Sequence, residues 1–431
     1  MRRFSKILVC LIATAFVLLG IGAAAAEAGW TEFRGPQHNG HTDATGLPLT
    51  WSETENVAWK TEIPFKGWST PVAMGNRIWL TTATEDGHDF FVIGVDADTG
   101  KVFHNEKLFH ADAPEPLGNA VNCYASPSPT MEPGRVYVHF GSYGTACLDS
   151  ESGKVLWQRT DLPCRHYRGP GSSPILFENL LILTFDGADR QYLVALDKET
   201  GKDVWKTDRT TKWTDLEPDG KPKREGDFRK AFTTPLVIEQ GGKQELISLG
   251  SSTAYAYDPR TGKEIWKLPN DAYSPASCPV FGNGLLYMIT GRGHSQLCAL
   301  RPEGEGELTD AQIVWKMDGP AIPTEPSPIL VDDLFYMVNN NGLVTCLEAA
   351  TGTQVWSERI GGNYLASPLY SEGRIYFFST QGKATVIKAG RVYEPLATNN
   401  LDDGFMASPV VLGKTLLLRT KTHLYRVEVK Q

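Results

Sequence analysis

The side chains best suited to chemistry in this 431-residue sequence come as isolated pairs. Asp186-Gly-Ala-Asp189 puts two carboxylates in one short turn. A hard cation wants several converging oxygens, so this reads as a solvated hairpin loop. His38-Asn-Gly-His41 offers two imidazoles. Zinc needs further ligands at defined spacing and none is placed, so the stretch reads as a polar arm. There is no adjacent Cys-Cys and no CxxC, so thiol redox chemistry has no motif to stand on. His166 and Arg168 are the preferred polar candidates, but neither has an identifiable partner that would make it a catalytic base. No catalytic or metal-binding residue is assigned.

The elements that must position any site are easier to read. Ser172 to Trp205 runs as a Ser-Pro entry, two apolar runs, a strand ending Ala-Leu-Asp, a Thr-Gly turn and a short strand closed by Trp. Entry prolines recur at Pro71, Pro129, Pro174, Pro235, Pro279, Pro328, Pro368 and Pro409, each after Ser, Thr or Cys. Exit signals such as Asp149-Ser-Glu-Ser-Gly153 with Trp157 and Asp258-Pro-Arg-Thr-Gly262 with Trp266 return at similar places. Eight units of four short strands predict an all-β, eight-bladed β-propeller of antiparallel blades over residues 55–431. The last unit lacks a final Trp strand, and Glu55–Ile63 supplies one at the other end of the chain. That N-terminal strand is expected to complete the eighth blade and leave no open seam.

Residues 1–28 read as a secretory signal peptide: a basic start, an apolar core and a small-residue run ending near Ala28. Residues 29–54 form an N-terminal arm. Cleavage removes three basic groups and Glu27 and moves the formal charge from −8 to −10. An exported acidic chain makes nonspecific nucleic-acid binding a poor expectation, and no membrane span remains after cleavage. Six cysteines follow residue 28. Cys147, Cys298 and Cys346 take the place of Ala195 in the Ala-Leu-Asp strand and read as small buried residues. Cys123 and Cys164 fall in loops entering successive units and are candidates for a disulfide.

In such a ring the connections between blades return to one face near the central channel, and two are long, His104–Ser126 and Thr207–Thr233. The second carries Lys212, Lys221, Lys223, Arg224, Arg229 and Lys230, a basic stretch in an acidic protein. The candidate ligand-binding residues of this funnel face are Trp68, Tyr124, His166, Tyr167, Arg168, Arg229, Tyr273, Glu325, Tyr364, Asp403 and Phe405. Aromatics with a few charges suit a ligand or peptide site; the alternative is that the aromatics plug gaps between blades.

The Ala-Leu-Asp-x-x-Thr-Gly-x-x-x-Trp pattern of Ala195–Trp205 resembles the repeat of the pyrroloquinoline-quinone-like propeller superfamily. That superfamily includes quinoprotein alcohol dehydrogenases and the outer-membrane assembly propeller of Gram-negative bacteria. Trp30-Thr-Glu-Phe-Arg-Gly-Pro36 and Phe140-Gly-Ser-Tyr-Gly144 are similar to a secreted, planctomycete-type branch. The resemblance implies that the motif tryptophans dock blades. A quinoprotein would bring pyrroloquinoline quinone, Ca²⁺ and an adjacent-cysteine disulfide, none of which can be placed here. The expectation is therefore an exported, non-catalytic scaffold without cofactor in the bacterial envelope, periplasmic or extracellular, binding a protein or envelope partner. The alternatives are a quinone-dependent oxidoreductase and a carbohydrate- or polymer-binding module.

Overall fold

The computed structural model describes residues 29–214, 216–221 and 226–429. The stretch read as a signal peptide, Lys223 and Arg224 lie outside them. Eight antiparallel four-stranded sheets form an eight-bladed β-propeller. Blade 1 is typical, with Val72–Met74 innermost, then Arg77–Ala83, Asp89–Asp96 and Val102–His110. Blade 4 alone gains a fifth strand, Gly306–Glu307, parallel to its outer edge at Glu264–Pro269. Ring closure is as expected: Val57–Glu62 pairs antiparallel with His423–Val427 and becomes the outermost strand of blade 8.

The recurring turn explains the recurring sequence. In Asp197-Lys-Glu-Thr-Gly201 the Asp197 carboxylate accepts from the Thr200 N–H (2.8 Å) and hydroxyl (2.7 Å), which fixes the turn. Gly201 then takes φ +70°, and a Cβ there would lie 2.7 Å from the Trp157 indole of the preceding blade. Trp157 stacks into that gap and donates its indole N–H to the Lys198 carbonyl at 2.9 Å. Trp59, Trp205, Trp315 and Trp356 make the same bond to Ala97, Pro259, Ala349 and Gly390 of the next blade. Trp266 differs, donating to Glu245 of its own blade.

A second circuit lies at the axis. The residue before each entry proline passes its backbone N–H to the side-chain hydroxyl of its counterpart in the next blade: Thr70 to Ser128, Ser128 to Ser173 and Ser173 to Thr234, at 2.9–3.0 Å. After Cys278 the series resumes, Cys278 to Ser327, Ser327 to Ser367 and Ser367 to Ser408, each at 3.0 Å, and Ser408 returns to Thr70 at 3.1 Å. Only the junction from Thr234 to Cys278 lacks a hydroxyl acceptor.

Several expectations need correction. The stretch read as a polar arm is packed beneath the ring. Trp30 bridges Ala73 in blade 1, the Thr31 carbonyl accepts from Met131 in blade 2, Arg34 donates to the Pro328 carbonyl in blade 6, and His41 bridges Tyr370 in blade 7. Trp30 and Arg34 are buried. Asp186 is no solvated turn: it grips Arg209 through two 2.6 Å bonds, and both side chains are buried. Cys123 and Cys164 form no disulfide; all six described cysteines are buried free thiols. The thiol of Cys123 lies instead 3.3 Å from the Ser126 hydroxyl, within its own loop. Cys147 and Cys346 do face Trp157 and Trp356 across their strands, but in blade 5 it is Ala299, not Cys298, that faces Trp315.

Deleting residues 29–63 removes both the closing strand and the segment beneath the channel. Circular dichroism melts of the truncated chain are expected to show a much lower and less cooperative transition than the intact chain; an unchanged melt would refute the closing role of Val57–Glu62.

Candidate functional site

Each innermost strand starts at the loop face and runs toward the opposite face, where residues 30–41 cross beneath the ring. The channel is therefore a cup, open among the loops. Its volume is ≈ 330 Å³. Phe33 closes it from below, the eight residues before the entry prolines ring its wall, and Trp68, Phe232, Leu365 and Met406 add apolar surface.

The mouth is set by two ion pairs. Arg168 Nε donates to Asp227 Oδ2 at 2.7 Å, and Arg292 pairs with Glu325. Arg168 is held in place by backbone strain: Tyr167, Arg168 and Gly169 all have positive φ, at 36°, 80° and 81°. For a tyrosine and an arginine this is an uncommon conformation that the surroundings must enforce. Asn122 does so, its side-chain amide donating to the carbonyls of Arg168 (2.7 Å) and Pro170 (2.9 Å). Glu325 is also bound by Thr324 and Asn340.

Of the eleven funnel candidates, Trp68, Arg168 and Glu325 line the cup. Tyr167 is 40% exposed, with the Arg168 guanidinium over its ring at 5.2 Å. The others are placed differently. Tyr124 is buried, donates to the Glu115 carbonyl and meets Phe90 edge-on. Tyr364 and Phe405 are buried, Phe405 against Phe378. Tyr273 packs tilted against Phe228, ring centroids 4.3 Å apart. His166 is buried and accepts the Ser142 N–H at Nε2, which puts its own proton on Nδ1. Arg229 is buried with its guanidinium over Trp213, and Asp403 binds the Thr422 hydroxyl on an exposed turn. The long basic connection is largely engaged within the protein: Lys230 is buried and donates to the Gly169 carbonyl, while Lys212 and Lys221 pair with Glu307 and Asp219.

Sequence reasoning missed Asn122, Asp227, Arg292 and Phe33, and it missed the hydroxyl ring as a surface. The ring's signal was present, because the Ser or Thr before seven of the eight entry prolines was read as punctuation.

Below the cup lies a polar cluster in apolar surroundings. Burial pulls Arg34 down to about 10, so it stays protonated at neutral pH. Burial pushes the Glu32 carboxyl up to about 8, and burial together with Arg34 pulls His38 down to about 4. These two stand 3.1 Å apart, both neutral near pH 7.

Three comparisons bear on this architecture. The family profile described as outer membrane protein assembly factor BamB matches residues 42–165 and 250–404. The chain belongs to that family. It is 24% identical to the outer membrane protein assembly factor BamB of Yersinia pestis over 388 aligned positions, covering 83% of this chain and 87% of that one. It is also 31% identical over 160 positions to a 1-butanol dehydrogenase (quinone) of Thauera butanivorans, a match spanning 31% of this chain and only 22% of that enzyme. Among solved structures it is similar to the quinohemoprotein alcohol dehydrogenase of Comamonas testosteroni (TM-score 0.68, 12% identity, 95% of this chain and 82% of that one). It is likewise similar to BamB of Moraxella catarrhalis (TM-score 0.56, 11% identity, 86% and 99%). At such identities these structures share the fold alone.

The quinoprotein likeness raises a Ca²⁺-bound quinone, and the residues of the cup can be set against it. Its two carboxylates, Asp227 and Glu325, each already bind an arginine, and among the described residues no group of three His, Cys, Asp or Glu side chains converges to hold a metal. The donor set does not fit that group.

The buried imidazoles make stability depend on pH. Burial pulls His139 down to about 3, while its Nδ1 lies 2.8 Å from the Thr145 hydroxyl. An unfolded histidine takes a proton near pH 6.5 and buried His139 refuses it, so stability is lost as pH falls below 6.5. Glu32 acts oppositely: native Glu32 keeps its proton to about 8 while the unfolded carboxyl releases it near 4.5, so stability is lost as pH rises through that window. Melting temperatures from pH 8 to 4 are expected to fall on the acid limb, and His139→Gln is expected to reduce that limb's slope by about one proton.

Proposed function

We propose that this BamB-family propeller is an exported, non-catalytic binding scaffold of the bacterial envelope, engaging a protein partner at its loop face. The observation that carries the reading is the chemistry of the cup mouth. Its carboxylates are engaged by arginines, so neither stands as a free general base, while aromatic, apolar and charged groups converge on one concave surface. The rigid ring holds these loop residues in fixed relation, as a recognition surface requires. The family's name, an assembly factor, agrees with a protein partner. Among the described residues no helix is long and apolar enough to cross a membrane. The chain in this reading enters the envelope through the signal segment and acts there by association.

Two measurements test it. Cross-linking of the purified mature chain in envelope extract is expected to capture a defined partner, and the double variant Arg168→Glu with Glu325→Arg, checked for an unchanged fold, is expected to lose most of that capture. Equal capture by both proteins removes the loop face from the reading. Incubation with pyrroloquinoline quinone and Ca²⁺ is expected to give no dye-linked oxidation of alcohols; saturable dye reduction would replace the scaffold with an oxidoreductase.

A further inference from the structure

Seven of the eight residues ringing the cup wall are Ser or Thr, and all eight are buried. Each hydroxyl oxygen spends one lone pair on the N–H of the preceding blade. A hydroxyl also carries one proton to donate. Among the described residues, no acceptor receives any of these seven O–H groups. The wall is therefore a ring of seven donors around one axis, interrupted at Cys278, with no acceptor supplied by the described residues.

A second, independent observation comes from beneath. Arg34 is 2% exposed, and its Nη2 donates to the carbonyls of Asn39 and Pro328, the latter next to Ser327 of the ring. Its Nε and Nη1 have no partner among the described residues. With Phe33 and His38 it borders a small adjoining cavity that also touches Thr234 and Cys278, the two residues at the break in the ring. Buried charges are ordinarily paired. Here the Glu32 carboxyl holds its proton at neutral pH, and the two ion pairs at the mouth each balance internally. Arg34 is thus a buried guanidinium without an ion-pair partner beneath the ring; the other such guanidinium beside the ring, Arg419, is occupied by the Ser69 and Thr81 carbonyls and the Ser69 hydroxyl in the wall between blades 8 and 1.

We propose that the cup is a receptor for a small oxyanion, a carboxylate or a phosphate, held by the O–H groups of the ring above the buried guanidinium of Arg34. This rests on the cup being the binding site and names the chemistry it accepts. Such a group brings several acceptor lone pairs and a negative charge, the two things the ring and Arg34 lack. It presents them on the axis, where the seven donors converge. A cup of ≈ 330 Å³ has room for a small acid or for the charged end of a larger one.

Cys278 makes the idea testable, because it is the one described cysteine that lines the cup. The full mature chain would be titrated with succinate, with inorganic phosphate and with neutral succinamide. Total tryptophan fluorescence, to which Trp68 in the cup wall contributes, and the rate at which methyl methanethiosulfonate modifies Cys278, read by mass spectrometry, would report occupancy. Saturable binding of an anion about tenfold or more tighter than succinamide is expected, with Cys278 protected, and the preferred anion identifies carboxylate or phosphate as the source. Cys278→Ser adds an eighth hydroxyl and is expected to tighten binding about threefold, and Arg34→Met to weaken it about tenfold. If Arg34→Met fails to fold, Cys278→Ser still decides. Failure of both anions to bind or to protect Cys278, or affinity unmoved by Cys278→Ser, overturns the oxyanion receptor. Partner capture at the loop face is measured separately and would still stand or fall by its own variants.

Discussion

The bond on which this structure depends is the one from a backbone N–H in one blade to a side-chain hydroxyl in the next. An N–H just before a proline, at the crowded centre of a ring, has no strand to pair with. Left bare it would cost about 1–3 kcal/mol per blade. A Ser or Thr on the neighbouring blade satisfies it, and the same residue repeats the act for the blade before. Because Ser408 hands on to Thr70, the series fixes both the spacing of the blades and their number. The tryptophan contacts on the outer rim do the same work at larger radius, and with the inner circuit they leave each blade little freedom to tilt.

Much of this was legible. The entry prolines, the Asp-x-x-Thr-Gly turns and the terminal tryptophans are local signals with local causes, and they gave eight blades and the closing strand. The site was less legible because it is assembled from residues far apart in sequence. Arg168 and Glu325 could be drawn from loops, but their partners Asp227 and Arg292 become visible only once the ring brings four loops together. The aromatics misled for a physical reason: a wedge between blades and an exposed loop residue have the same composition, and only burial separates Tyr364 from Tyr167. Asp186 looked as solvated as Asp189, which is exposed, because its counter-charge, Arg209, follows the outermost strand of the blade, 23 residues further along the chain.

The polar residues of the N-terminal stretch show how far composition alone can go astray. Glu32, Arg34, His38 and His41 would be surface residues in most chains. Here the hydrogen bonds of Trp30, Thr31 and Gly40 to innermost strands draw the stretch across the ring, and its charged groups are carried inward with it. The protein holds them by neutralising Glu32 and His38 and by giving Arg34 carbonyl partners.

The segment that floors the channel also decides what kind of traffic the propeller can handle. A ring open at both ends lets a chain thread through or lets solvent be pushed ahead of a guest. With Phe33 across one end, the passage is a dead end: whatever enters must leave by the mouth, and displaced water has to escape past the incomer. Only a terminus, a side group or a small molecule can use such a space, and anything longer must remain draped over the loops outside.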